Sequence, residues 1–389
     1  MLTEYFHNNQ KDLGPYPNEL KSALNLQNTK TAFDEIKTWD GYAETPLRSL
    51  HKIASEIGVR NIYYKDESSR FGLGSFKALG GTYGVLKFIH HALGSELGEE
   101  VSIKDIHRGR YSEQISKYTV TTATDGNHGR SVAFGAKLFG CKCQIYIHSE
   151  VSTGRQKAME DLQANVIRVS GNYDESLQIC IADANANHWH VISDTSYEGY
   201  TKYPRYIMAG YNVMAEEIIQ QLKEQTLPTH IFLQGGVGSF PGAICGYFWE
   251  KFPEHNIKIV VVESEHAPCL MRSAQNNQMT SINIKKETMM AGLSCGEPSL
   301  LGWEILCTGT DDFITIDDSS IPELMRLLAQ NNPRIEAGES SVAGLAGLIG
   351  AMENQKVAEM IGLNKESIVL LFGTEGATDL EIYNSIVSE

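Results

Sequence analysis

Short apolar runs alternate with amphipathic stretches along most of the chain. The runs at 61–65, 118–123, 143–148, 166–170, 190–193, 230–233, 258–263, 313–316 and 368–372 are mostly rich in β-branched residues and read as strands. Most are continuous rather than alternating, which is the pattern of strands buried on both faces of a parallel sheet. Between them, stretches such as 154–164 and 174–184 carry the spacing of amphipathic helices. This alternation predicts an α/β fold of open, mostly parallel sheets covered by helices and joined by right-handed crossovers. From 118 to 193, four strands separated by three helices amount to a self-contained sheet. The polar stretch 99–117 ahead of it reads as a surface loop. The expected organisation is a small α/β domain at 89–193, inserted into a larger discontinuous domain at 1–88 and 194–389.

Charge and composition narrow the function classes. There are 48 acidic and 33 basic residues, a net charge of -15, which disfavours nucleic acid or an anionic membrane as partner. No apolar run approaches the roughly 20 residues that span a bilayer. The first residues lack a basic-then-apolar signal pattern, so a cytoplasmic location is expected. A chain of 389 residues with 42% hydrophobic content can build its core without staples. The seven cysteines are odd in number and form no CxxC, which argues against a disulfide framework and against a metal site. Cys269 and Cys295 fall on segments expected to border one face, which leaves a reversible disulfide open, although a cytosolic protein is expected to keep them reduced.

Three segments can carry chemistry. Gly235, Gly236, Val237, Gly238 and Ser239 follow a strand-like run and lead into a helical stretch. A glycine turn from strand into helix lets backbone N–H groups close on an anion, aided by the helix dipole. The loop is not GxGxxG and lacks the Walker lysine, so it points to a phosphate but to neither a dinucleotide nor ATP. On the loop alone, a merely tight strand–helix turn stays open. In the second segment, SSRFGLGSFKALGG, Ser75 can cap a helix and place Lys77 in its first turn. The positive end of a helix dipole disfavours an ammonium there, which suits an amine nucleophile for a Schiff base. Gly80 and Gly81 are costly inside a helix unless a flat ring or another backbone approaches closely. The third segment, TTATDGNHG, leaves a strand and enters a helix, with Thr124, Asp125, Gly126, Asn127 and His128 at the turn. Its N–H groups can meet a substrate carboxylate at the carboxyl end of the strand, where open α/β sheets place ligands. A helix cap would account for one polar residue there more easily than for three in a row.

In this order the segments resemble the fold type II pyridoxal-phosphate enzymes, which include the serine/threonine dehydratases, the cysteine synthases and the tryptophan synthase β chain. The resemblance rests on S-x-K after a KDE strand, an Asn in a G-N-H turn and a GGxGS loop. It sharpens to the diaminopropionate ammonia-lyases over KDESSRFGLGSFKALGG, TATDGNHGRSVA, SDTSYEGY, GGVGS, AGLSCGEPS, GWEIL, PRIEAGESS and TEGATD. In the dehydratases the residue before G-N-H is usually Ser, and here it is Asp125.

The resemblance implies pyridoxal 5'-phosphate as cofactor, with Lys77 as its Schiff-base lysine and Asn127 on its phenolic oxygen. Gly235, Gly236, Val237, Gly238 and Ser239 would hold the phosphate. Two acidic bases fall on Asp125 and Asp194, and Thr374, after the last strand, is the nearest candidate for the Ser or Thr that many relatives place on the pyridine nitrogen. Glu339 falls in the same wall as Thr374, and Thr124, Asp125, Gly126 and His128 would bind the substrate. The implied reaction is α,β-elimination of D- and L-2,3-diaminopropionate to pyruvate and two ammonia, carried out by a homodimer. A carboxylate at position 125 suits the cationic β-ammonium of that substrate, where a Ser would suit a hydroxyl. The alternatives are a serine/threonine dehydratase of the same fold, a transferase related to the cysteine synthases, and a non-catalytic binder of the cofactor. The last leaves Asp125 and Asp194 without a task.

Overall fold

The computed structural model describes residues 1–124, 126–171, 173–222 and 227–388. Its strands are β1 (Leu2–His7), β2 (Leu47–Ser49), β3 (Asn61–Asp66), β4 (Thr119–Ala123), β5 (Lys142–Ile147), β6 (Asn165–Arg168), β7 (His190–Val191), β8 (His230–Gln234), β9 (Lys258–Ser264), β10 (Asp312–Ile316) and β11 (Ile368–Gly373). They form a seven-stranded sheet of order β1-β10-β9-β8-β11-β3-β2 and a four-stranded sheet of order β6-β5-β4-β7. The smaller sheet is parallel throughout. In the larger one the five inner strands are parallel, and β1 and β2 run antiparallel at the edges. The two open, mostly parallel sheets expected from the periodicity are present.

The inner strands are the continuous apolar runs. Every residue of β8, β10 and β11 is buried. The reading of the chain missed β1 and β2, and their position explains why. An edge strand is covered on fewer sides, so it needs no continuous apolar run. β1 (LTEYFH) is only partly buried along its length and is held in part by Tyr5, whose hydroxyl donates to Asp312 Oδ1 at 2.7 Å. β2 is three residues long.

The chain divides into two compact units. The first comprises residues 1–76, 195–198 and 211–389, and the second 77–194 and 199–210. Residues 77–88, 194 and 199–210 thus belong with the small sheet, where the periodicity had left them in the larger domain. The reason is helix packing. The helix Lys77–Leu97 lies against the helix Asn127–Phe139. A Cβ at Gly81 would fall 1.7 Å from Ser131 Oγ, and one at Gly210 would fall 2.5 Å from the carbonyl oxygen of Leu79. The close backbone approach expected at the Gly80–Gly81 pair is therefore made by neighbouring helices. The stretch 99–117 also departs from the surface loop expected of it. It contains two short helices, Ile103–His107 and Ser112–Ile115, pinned by buried Val101, Ile106, Tyr111 and Ile115.

Inside the first unit, four buried charges organise the segment that leads to Lys77. Lys65, Glu67, Arg70 and Glu217 are each at most 1% exposed. Glu217, on the helix Val213–Gln221, accepts from Arg70 Nη1 at 2.8 Å and Nη2 at 2.7 Å and lies 2.7 Å from Lys65 Nζ. Glu67 accepts from Arg70 Nε at 2.8 Å. These bonds pin the chain just after β3. Ser75 then bridges to Glu375, and the Phe76 N–H donates to the Thr374 carbonyl at 3.0 Å. The next residue is Lys77. Among the described residues, no helix is long and apolar enough to cross a membrane.

Candidate active site

In the second unit, Lys77 is the first residue of its helix, as the S-x-K motif predicts. Its Nζ donates to Asp194 Oδ2, and the two side chains are 21% and 15% exposed, so the pair remains open to a small molecule. His128 lies beside them, with Nδ1 3.7 Å from the same Asp194 oxygen. Its Nε2–H donates to the Ile192 carbonyl at 2.8 Å, so Nδ1 carries the lone pair of the neutral ring. Burial pushes the His128 imidazole below its ordinary value, against the opposing charge of Asp194. The ring therefore adds no second cation beside Lys77. Asn127 opens the helix Asn127–Phe139, preceded by Gly126 at φ 153°. The Thr124 hydroxyl accepts from the N–H groups of Gly126 at 3.0 Å and Gly129 at 3.1 Å, so it braces this turn. Asp125, the proposed second base, lies outside the described residues.

In the first unit, the loop Gly235–Ser239 connects β8 to the helix Ser239–Lys251, with Gly238 at its N-cap in the left-handed region (φ 98°). The Gly235 N–H donates to Val262 and the Gly238 N–H to Gly235. Among the described residues, the N–H groups of Gly236 and Val237 donate to no protein acceptor. Gly236 is buried, and a buried N–H without an acceptor is rare. Two unclaimed N–H groups at a helix N-terminus are what an anionic phosphate needs, so the loop fits the phosphate of pyridoxal 5'-phosphate. The loop's backbone is held closely from behind. A Cβ on Gly302, in the helix Leu300–Gly309, would lie 2.6 Å from the carbonyl carbon of Gly238. This explains the glycine of GWEIL.

At the end of β11, the Thr374 hydroxyl lies 3.2 Å from that of Ser340, and both are buried. Glu375 accepts from the Ser340 N–H at 3.2 Å and from its hydroxyl. Glu339 is buried and begins the same short turn as Ser340. AGESS and TEGATD are thus brought together by direct hydrogen bonds. Motif reading missed Ser196 and Ser299. The Ser196 hydroxyl bonds that of Ser299 at 2.7 Å, and the Ser299 N–H donates to the Val237 carbonyl of the glycine loop at 2.7 Å. Both serines stand inside segments that carry the resemblance, SDTSYEGY and AGLSCGEPS, but nothing in their spacing said that they meet. All seven cysteines are free thiols. Among the described residues, no group of three or more His, Cys, Asp or Glu is placed to hold a metal ion.

The chain is similar to known proteins over most of its length. Residues 38–372 match the family described as "Pyridoxal-phosphate dependent enzyme". The chain is 38% identical over 357 residues to diaminopropionate ammonia-lyase of Escherichia coli K12, covering 90% of this chain and 88% of that protein. It is 37% identical to diaminopropionate ammonia-lyase of Salmonella typhimurium, with 94% of each chain covered. The crystal structure of the Escherichia coli enzyme in complex with D-serine superposes with a TM-score of 0.87 at 34% identity, covering 99% of this chain and 97% of that one.

Proposed function

The chain belongs to the pyridoxal-phosphate dependent enzymes, and from that membership we propose that it is a lyase removing both amino groups of 2,3-diaminopropionate. Diaminopropionate and one water give pyruvate and two ammonia. The observation that carries the reading is the contact of the Asp194 carboxylate with the Lys77 amine, a base beside the family's Schiff-base lysine.

Lys77 would hold the cofactor as its Schiff-base lysine, Gly236 and Val237 would hold its phosphate through their N–H groups, and Thr374 with Ser340 would offer hydroxyls to its pyridine nitrogen. When bound, the cofactor supplies an electron sink that acidifies the α-hydrogen of the substrate. Asp194 takes that proton from the L substrate as general base. Its hydrogen bond to Lys77 Nζ also lets a proton pass between carboxylate and amine. The turn from Thr124 to His128 receives the substrate carboxylate at a helix N-terminus. The β-amino group must leave protonated, as ammonia, and a carboxylate at position 125 holds the ammonium form in place. The unsaturated amine left behind hydrolyses to pyruvate and the second ammonia. Asp125 and Asp194 are the two bases, Asp125 serving the D substrate and Asp194 the L substrate.

Pyruvate release by the purified protein tests this on D- and L-diaminopropionate, D- and L-serine and threonine. The diaminopropionates should give the highest kcat/KM; a preference for threonine, read as oxobutyrate, would make the protein a dehydratase. D-serine is the second substrate to examine, because the Escherichia coli relative binds it in the crystal. By the same resemblance we propose that the protein is a homodimer, and light scattering at working concentration measures the assembly.

A further inference from the structure

Glu263 is a buried titratable group with no part in the reaction just described. It lies on β9 and is 1% exposed. Its carboxyl oxygens accept from the N–H groups of Leu270 at 2.9 Å and Met271 at 2.8 Å, in the first turn of the helix Cys269–Asn276. That turn backs the glycine loop. Cys269 Sγ donates to the Gly236 carbonyl at 3.5 Å, and a Cβ on Gly238 would meet Leu270 Cδ2 at 3.0 Å. Glu263 also touches the loop directly, since a Cβ on Gly235 would fall 2.5 Å from its Cγ. The residue thus holds the loop at its first glycine and, through the helix turn, at two more. Resting on the cofactor assignment above, we propose that Glu263 is a positioning residue of the phosphate loop whose protonation state sets how tightly the loop holds the cofactor's phosphate.

The charge balance behind the loop gives the sign. Burial pushes the Glu263 carboxyl up to about 8, against the opposing hydrogen bonds of Leu270 and Met271 and the charge of Arg272. The ionisable groups facing it are Arg272 and Cys269, both on the same helix. Arg272 is itself bound to Glu4 of β1 at 2.7 Å, and burial raises the Cys269 thiol so that it stays neutral; the nearby Cys295 thiol acts on Cys269. The strand neighbour on β10, Thr315, and Gly235 after β8 carry no charge. Near neutral pH the acid is therefore mainly uncharged, and Glu263 puts no negative charge behind a bound phosphate. As pH rises through about 8, the carboxyl ionises and repels the phosphate dianion. A bound phosphate holds the proton on Glu263 more tightly, so affinity falls as pH rises through the value of the free protein.

The test is titration of the full-length apoprotein with pyridoxamine 5'-phosphate, which carries the phosphate but cannot link to Lys77, from about pH 7 to about pH 9.5. Pyridoxamine, lacking the phosphate, is titrated in parallel by competition. The second ionisation of the phosphate itself, near pH 6, is complete over this range. Ionisations at the amine end act on both probes and cancel in the ratio. The phosphate-dependent part of the affinity should fall about tenfold, one pKa unit of coupling. Glu263→Gln should remove that slope. Equal slopes for the two probes would overturn the proposal, and so would an unchanged slope in Glu263→Gln. If the variant does not fold, the two-probe comparison on the native chain decides alone. Failure of pyridoxamine 5'-phosphate to bind at any pH would refute the cofactor assignment itself, and this proposal with it.

Discussion

Lys77 owes its position to bonds on either side of it. The Phe76 N–H is tied to Thr374, and the Lys77 amine is tied to Asp194. Borohydride should fix the cofactor on Lys77 and discharge the protein's colour, and peptide mapping of the reduced protein reads the site. A label on Lys65 or Lys202 would contradict the assignment. The two carboxylates give a second prediction. Asp→Asn keeps the shape and removes the base, which costs about 10²–10⁴-fold in rate. Asp194→Asn should lower kcat/KM mainly for L-diaminopropionate and Asp125→Asn mainly for the D form. Some cross-talk follows if Asp125 holds the β-ammonium of both. Equal losses on both enantiomers in both variants would refute separate bases.

Elements set the shape of the phosphate site. The helix Leu300–Gly309 presses its backbone at Gly302 onto the loop between Gly238 and Ser239. A methyl group there meets backbone atoms, which cannot swing aside as a side chain can. Gly302→Ala should therefore cost about 1–3 kcal/mol of stability, as overpacking does. The same substitution displaces the Gly238–Ser239 backbone, so cofactor affinity should drop at least about tenfold, which a loss of about 1.4 kcal/mol at the loop would produce. Thermal unfolding with and without pyridoxal 5'-phosphate separates the two effects. An Ala variant that binds the cofactor normally would show that the helix does not set the loop's shape.

For the molecule as a whole, the buried group of Lys65, Glu67, Arg70 and Glu217 ties β3, the segment after it and the helix Val213–Gln221 into one folding unit. Removing one partner leaves buried charge uncompensated, so Arg70→Ala should cost about 3–5 kcal/mol in urea denaturation. The group also makes stability depend on pH. Burial raises the Glu217 carboxyl, but Arg70 and Lys65 prevail and hold it below the ordinary carboxylate range. A depressed folded-state pKa stabilises the protein above the unfolded value, about 4.3 for Glu, and the stabilisation is lost as pH falls below it. The urea midpoint of the native chain should therefore fall more steeply below about pH 4.3 than that of Glu217→Gln. Parallel pH profiles would show that Glu217 contributes nothing to the acid sensitivity.

Local sequence determined much of this protein. Continuous apolar runs marked the inner strands, because a strand buried on both faces needs apolar residues on both. The four-strand, three-helix alternation of the small sheet was also legible, as were the S-x-K and GGVGS turns, whose glycines and helix starts are local features. Tertiary structure decided the rest. The edge strands β1 and β2 take their pairing from β10 and β3, and residues 77–88 and 199–210 join the small sheet through helix packing. Likewise the meeting of Ser196 with Ser299, of Ser340 with Thr374 and Glu375, and of Glu263 with Gly235 joins residues far apart in the chain. Periodicity reports which face of an element is buried; it does not report what that face is buried against, and only the folded chain chooses the partner.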